Sequence, residues 1–206
     1  MVELILGSMK SGKSKTLLDR LDRATYTRRG RVRPRACLVR PKTDTREFVS
    51  RKSEGIKYDL LVLDGKLVVD PDNSKRLREY DVICIDEAQF FPDLAFALFY
   101  LSHMCGKTIY AACLQGDRNM KSWAAVSDSI PVADRITQIQ AVCEFCGDES
   151  KSTFTYYDGP HSDDQVIIGD GEYHAACASC WVERTRVKEG IVERSEYPFG
   201  STNRLF

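Results

Sequence analysis

Gly7-Ser8-Met9-Lys10-Ser11-Gly12-Lys13-Ser14 decides the reading of this chain. It satisfies every position of G-x-x-x-x-G-K-[ST], the phosphate-binding loop. Two glycines let the backbone wrap closely, so that its N–H groups face the β- and γ-phosphates. Lys13 supplies a point charge to those phosphates, and the Ser14 hydroxyl is a ligand for Mg²⁺. A glycine turn can match such a pattern by chance. Its flanks argue otherwise: the apolar run Val2 to Leu6 reads as a buried strand, and residues 13–29 read as a helix with Leu17, Leu18 and Leu21 on one face. That helix aims its N-terminal dipole at the same phosphates.

Downstream, strand and helix patterns alternate. Ala36 to Val39, Leu60 to Leu63, Thr108 to Leu114 and Ile136 to Val142 read as strands. Ser74 to Tyr80 and Asp93 to Met104 read as helices, and Pro41 to Arg51 as a polar loop. Asp81-Val82-Ile83-Cys84-Ile85-Asp86 is continuously apolar and β-branched between its acidic ends, as a strand covered on both faces should be. The alternation predicts an α/β fold with a parallel sheet. The central strand ends in Asp86-Glu87-Ala88-Gln89. Two acids at a strand end are common on surfaces. Downstream of a complete phosphate loop, Asp86 is expected to hold Mg²⁺, and the Glu87 carboxylate is placed to accept a proton from an attacking hydroxyl.

The bulk properties set limits. The 206 residues suit one domain with a small appendage. Thirty basic and thirty acidic residues cancel, which argues against a general nucleic-acid binder. The basic run Arg28, Arg29, Arg31, Arg33 and Arg35 reads as a solvated helix end and turn. The apolar start stops at Gly7, too short for a signal peptide, and no stretch is long enough to span a bilayer. The expected location is the reducing cytoplasm, with no membrane partner. Eight cysteines then call for something other than disulfides. Cys37, Cys84, Cys105 and Cys113 lie in apolar segments and read as core.

The other four form two pairs, Cys143-Glu-Phe-Cys146 and Cys177-Ala-Ser-Cys180. Two C-x-x-C knuckles can bring four thiolates to tetrahedral Zn²⁺, and four protein ligands make such a site structural. His174 is close enough in sequence to replace one cysteine, although a surface role suits it better. The expected organisation is an ATP-binding α/β domain at 1–142, a loop-like metal-stapled lobe at 143–181, and a short helix with a mobile tail at 182–206.

Taken together, these motifs resemble the type II, zinc-containing thymidine kinase family. The resemblance covers residues 2–181 and rests on an ordered series: GSMKSGKS at 7–14, TDTR at 43–46, IDEAQFF at 85–91, the CEFC and CASC pairs, and IGDGEY at 168–173. It implies a P-loop NTPase (RecA-like) parallel sheet with helices on both faces, plus a small zinc-stapled lasso domain. It implies transfer of the ATP γ-phosphate to the 5′-hydroxyl of thymidine, or of deoxyuridine, in DNA-precursor salvage. A homotetramer and feedback inhibition by the end-product triphosphate are further family properties.

Residue by residue, the resemblance makes Glu87 the general base. Asp44, Arg46 and Gln89 join the phosphate loop around the transfer site. Phe90 packs against the thymine ring, with Leu114, Trp123 and Thr155 lining the pocket and Thr153 the alternative threonine. The lasso backbone at Val166, Ile167, Ile168 and Gly169 hydrogen-bonds the base, and Tyr173 reaches the sugar. Two departures bear on specificity. Arg118 stands where the family carries a phenylalanine, and Ile168-Gly169-Asp170 replaces a double glycine. Two other classes stay in view: an ATP-driven nucleic-acid motor, because Asp-Glu-Ala-Gln echoes helicase spelling, and a non-catalytic zinc-knuckle module.

Overall fold

The computed structural model describes residues 1–26, 32–44, 57–149, 153–160 and 172–190. Arg46, Val166, Ile167, Ile168, Gly169 and the segment beyond 190 lie outside these residues.

The described chain forms two compact units. The first comprises residues 1–7, 12–115 and 122–139. Its sheet has six strands: β1 (Val2–Gly7), β2 (Ala36–Pro41), β3 (Asp59–Leu63), β4 (Val82–Ile85), β5 (Thr108–Leu114) and β6 (Arg135–Ile139). The order is β3-β2-β4-β5-β1-β6, and every pairing is parallel. Strands at the middle of such a sheet are covered on both faces, which is why β2 and β4 are buried at every position. Helix α1 (Lys13–Thr25) packs Leu17, Leu18 and Leu21 against Ile5, Leu38, Cys84 and Ala112 on one face. The alternate residues Leu4, Ile83, Ile85 and Ala111 are buried on the other.

Several expectations shift. The helix placed at Ser74 to Tyr80 is α2 (Pro71–Leu77). Asp70 caps it by accepting from the Asn73 amide at 2.9 Å, and Pro71 takes the first turn, where its missing N–H costs nothing. The helix at 93–104 is α3 (Leu94–Phe99) followed by a π-turn at Tyr100–Met104. The strand expected at 136–142 ends at Ile139. A short helix, α4 (Ala124–Ser129), was not anticipated. Cys37, Cys84 and Cys113 are buried as expected, whereas Cys105 is only half-buried.

The second unit holds residues 8–11, 116–121 and 140–206. The lobe expected to be loop-like contains an antiparallel hairpin-like pair, β7 (Thr153–Tyr157) and β8 (Tyr173–Cys177). Helix α5 (Ala178–Lys188) follows directly, so the C-terminal helix starts before Cys180 rather than after 181. Tyr156, Ala176, Cys143, Cys177 and Cys180 form its small core, flanked by Phe145, Cys146 and Trp181.

Candidate active site

In the first unit, the strand order places β5 between β4 and β1. The register pairs Gly7 with Leu114 and Ile85 with Ala111, so the phosphate loop and the acidic strand end leave the sheet on its carboxyl edge. Ligands of open α/β sheets bind at that edge. Gly12 has φ 86°, a left-handed conformation that a side chain would resist. It leads into α1, whose first turn has no acidic residue. The leading amides of the helix therefore face outward as an anion site. Lys13, the first residue of α1, is 7% exposed. Ser14 Oγ donates to Asp86 Oδ2 at 2.8 Å, bringing together two side chains that are 72 positions apart in sequence.

Asp86 is held by its own amide, which donates to the Val39 carbonyl at 2.9 Å. Burial and the neighbouring Glu87 charge push its carboxyl up to about 6, against the opposing hydrogen bond from Ser14 and the Lys13 charge. Glu87 has φ 48° and ψ 43°, left-handed for a residue with a side chain. Such backbones persist only where the surroundings fix them, and they gather at functional positions. Here the strained residue opens a 3₁₀ turn, Ala88–Phe90. Gln89, buried in that turn, donates from Nε2 to Glu87 Oε2 at 2.6 Å and accepts the Leu114 amide on Oε1 at 3.1 Å. Phe90 meets Trp123 edge-on, with ring centroids 5.7 Å apart. Asp44 pairs with Arg40 at 2.6 Å. Sequence reasoning missed Arg40, although an arginine inside the apolar strand Ala36–Pro41 was the available signal.

In the second unit, the apex of the phosphate loop is tied to the hairpin. Ser8 Oγ and Thr153 Oγ1 are 2.9 Å apart, and the Met9 amide donates to Thr155 Oγ1 at 3.2 Å. Both threonines thus engage the loop, so the two candidates share a face of β7 and neither displaces the other. Lys10, at φ 62°, donates to Glu144 Oε2 at 2.9 Å. Glu144 also accepts from the Ala175 amide at 2.8 Å and lies 3.1 Å from His174 Nδ1. His174 therefore belongs to this polar group and not to the cysteine cluster. Tyr173 sits opposite Tyr157 in the pairing, with rings 4.9 Å apart. The Arg118 guanidinium lies 5.0 Å from the centre of the Tyr157 ring. It lines a cleft of about 360 Å³ with Asn119, Trp181 and Lys188.

The Sγ atoms of Cys143, Cys146, Cys177 and Cys180 all lie within 4.8 Å of one another. A tetrahedral thiolate site with metal–sulfur bonds of ~2.3 Å requires sulfurs ~3.8 Å apart. Cys146 and Cys177 are separated by 3.8 Å. Burial raises the Cys143 thiol, but amide donors from Cys177, Cys146 and Phe145 outweigh it and bring the group down to about 7. Thiolates gathered at this spacing can hold one metal ion.

Known proteins resemble this chain in sequence over most of its length. The family model described as thymidine kinase matches residues 1–181. The chain belongs to the thymidine kinase family. Among its relatives is the thymidine kinase of Pyrobaculum aerophilum, 33% identical over 88% of this chain and 98% of that protein. The cytosolic thymidine kinase of Cricetulus griseus is 29% identical over 95% of this chain and 79% of its own length. Thymidine kinase a of Arabidopsis thaliana is 32% identical over 88% and 74%. Family membership sets aside the motor and the non-catalytic module. Among the described residues, no helix is long and apolar enough to cross a membrane.

Proposed function

We propose that this chain transfers the γ-phosphate of ATP to the 5′-hydroxyl of thymidine, with deoxyuridine as a second acceptor. The observation that supports this reading best is the acidic strand end of a thymidine kinase-family chain. Ser14 and Asp86 are joined at 2.8 Å, and the adjoining Glu87 is held by Gln89 at 2.6 Å. Phosphoryl transfer asks a protein mainly for positioning and charge stabilisation. The phosphate-loop amides and Lys13 hold the triphosphate. Ser14 and Asp86 would hold Mg²⁺, which neutralises charge on the β- and γ-phosphates. Glu87 takes the 5′-proton as the hydroxyl attacks in line. Asp44, Arg46 and Gln89 complete the transfer site.

Phe90, Leu114, Trp123, Thr155 and Arg118 line the nucleoside pocket, and Tyr173 reaches the sugar. Backbone groups of residues 166–169 hydrogen-bond the base. Residues 1–142 act as the ATP-binding domain and 143–181 as the lasso domain. The cysteine cluster holds a structural zinc, since four thiolate ligands leave no position for substrate. The chain works in the cytoplasm as a homotetramer restrained by its end-product triphosphate.

The test is phosphate transfer from Mg-ATP to thymidine, deoxyuridine and deoxycytidine, by wild type and Glu87→Gln. Thymidine phosphorylation that collapses in Glu87→Gln supports both the substrate and the base. A preference for deoxycytidine overturns the substrate while leaving ATP chemistry in place.

A further inference from the structure

Arg40 is a charged side chain in a place suited to apolar ones. It is 7% exposed in β2, a strand that lies between β3 and β4 and is buried at every position. A buried ion pair is a poor source of stability, because desolvation offsets its attraction, and apolar residues of similar size often serve a core as well. The place of Arg40 in the sheet points to another use. Ala36 and Leu38 pack in the cluster around Leu17, Leu18 and Leu21 of α1, so alternation along the strand turns Arg40 to the same face. On β4, Val82 and Cys84 pack in that cluster, and Asp86 follows on the same face, where Ser14 of α1 reaches it at 2.8 Å. Leu38 pairs with Cys84 and Val39 with Ile85. The next step along both strands brings Arg40 level with Asp86, one strand spacing of about 4.8 Å away. Arg40 Nη2 donates to Asp44 Oδ2 at 2.6 Å, and the Asp44 amide closes a turn onto the Pro41 carbonyl at 3.0 Å.

We propose that Arg40 is a positioning residue of the phosphoryl-transfer site and acts through Asp44, whose carboxylate it anchors at the carboxyl edge on the face that Ser14 and Asp86 share. This deepens the functional reading above and rests on it. Asp44 sits in a turn outside the strand, whereas Arg40 is rooted in the sheet. A charge-assisted hydrogen bond is about twice as strong as a neutral one, so the strand lends the turn its rigidity. A charge held in one place beside the reacting groups acts on the transition state without reorganising.

The experiment replaces the pair by apolar residues, Arg40→Met/Asp44→Leu, beside each single change and Arg40→Lys. Phosphate transfer from Mg-ATP to thymidine and the melting temperature are measured on the full chain. The double variant strands no buried charge, so its melting temperature should hold or rise, while kcat falls about 10- to 100-fold with the KM for thymidine little changed. Arg40→Lys keeps the charge but not the planar fork and should lose kcat by a smaller factor. Arg40→Met should cost no further rate once Asp44→Leu is in place, because the two side chains act as one unit. A double variant with wild-type kcat overturns the proposal and makes the pair structural. If the double variant does not fold, Arg40→Lys decides alone: a lowered melting temperature with an unchanged rate overturns the proposal. Losses in kcat that multiply across the two single changes overturn the action through Asp44. A wild-type chain that phosphorylates no nucleoside overturns the functional reading itself, and this inference with it.

Discussion

Gln89 Nε2 donates to Glu87 Oε2 at 2.6 Å, and the same Gln89 side chain accepts the Leu114 amide at 3.1 Å. The glutamine therefore ties a strained residue, Glu87 at φ 48°, to the end of β5. A side chain anchored at both ends fixes the direction of its partner. Gln89→Ala should lower kcat by about 10- to 100-fold with little change in KM, because misplacing Glu87, the proposed base, costs rate rather than binding. Glu87→Gln, which removes proton acceptance, should lose about 10²- to 10⁴-fold. Steady-state kinetics on thymidine checks both. Equal kcat in Gln89→Ala and wild type would remove the orienting role.

Asp86 carries a pH prediction. Burial and the Glu87 charge raise its carboxyl to about 6, above the ordinary value of about 3.9. The folded chain thus holds this proton at mildly acid pH, and Mg²⁺ bound at Asp86, as proposed above, would displace it. Mg-ATP binding should release protons at pH 6 and far fewer at pH 8, with apparent affinity falling as pH drops below about 6. Calorimetry in buffers of different ionisation enthalpy reads the released protons directly. In the ligand-free chain the same shift works against folding: the stability present below pH ~4 is lost as pH rises through about 6.

Much of the first unit was legible because its signals are local. Val82–Ile85 is apolar without interruption, and the phosphate loop is punctuated by Gly7 and Gly12. The four cysteines announced themselves by spacing alone. What escaped was short or non-local. Helix α4 spans only Ala124–Ser129, too brief for a 3.6-residue period to show. Strand β7 reads Thr-Phe-Thr-Tyr-Tyr, good strand residues whose partner β8 lies beyond a long intervening segment. The Ser8–Thr153 contact joins positions 145 apart, and no sequence window reveals it. Nothing in the sequence marks Glu144, which stands between two cysteines. Its contacts to Lys10 and His174 depend on the fold.

The metal site should matter to ATP as well as to the lobe. Ser8, Met9 and Lys10 are hydrogen-bonded to Thr153, Thr155 and Glu144, and Glu144 stands in the chain between Cys143 and Cys146 of the cluster. Removing the metal with a strong chelator, or replacing Cys146 by Ser, should loosen β7 and release these contacts. Each hydrogen bond is worth about 1 kcal/mol, so KM for ATP should rise roughly tenfold as metal content falls. Elemental analysis beside ATP kinetics checks the link. Metal loss with unchanged ATP kinetics would show that the lobe and the phosphate loop act independently.

Glu3 is the charge on which the first unit's stability should depend most. It is 1% exposed at the second position of β1. Arg20 of α1 donates to it from Nε and Nη2 at 3.1 Å, and Thr137 of β6 donates at 2.7 Å. One carboxylate thus joins the helix to two strands. Burial pushes the Glu3 carboxyl up, but the hydrogen bonds from Arg20 and Thr137 outweigh it and hold the group below its usual range. Its stabilisation is complete above about pH 4.3 and is lost as pH falls through the lower folded value. Arg20→Met leaves the carboxylate buried with its charge uncompensated and should cost about 3 kcal/mol at pH 7. Because Met cannot sustain the depressed value, the variant's deficit should shrink as the medium is acidified. Denaturant melts from pH 7 to pH 3 measure both quantities. A deficit that stays constant across that range would show that Arg20 acts through packing of its stem rather than through the charge on Glu3.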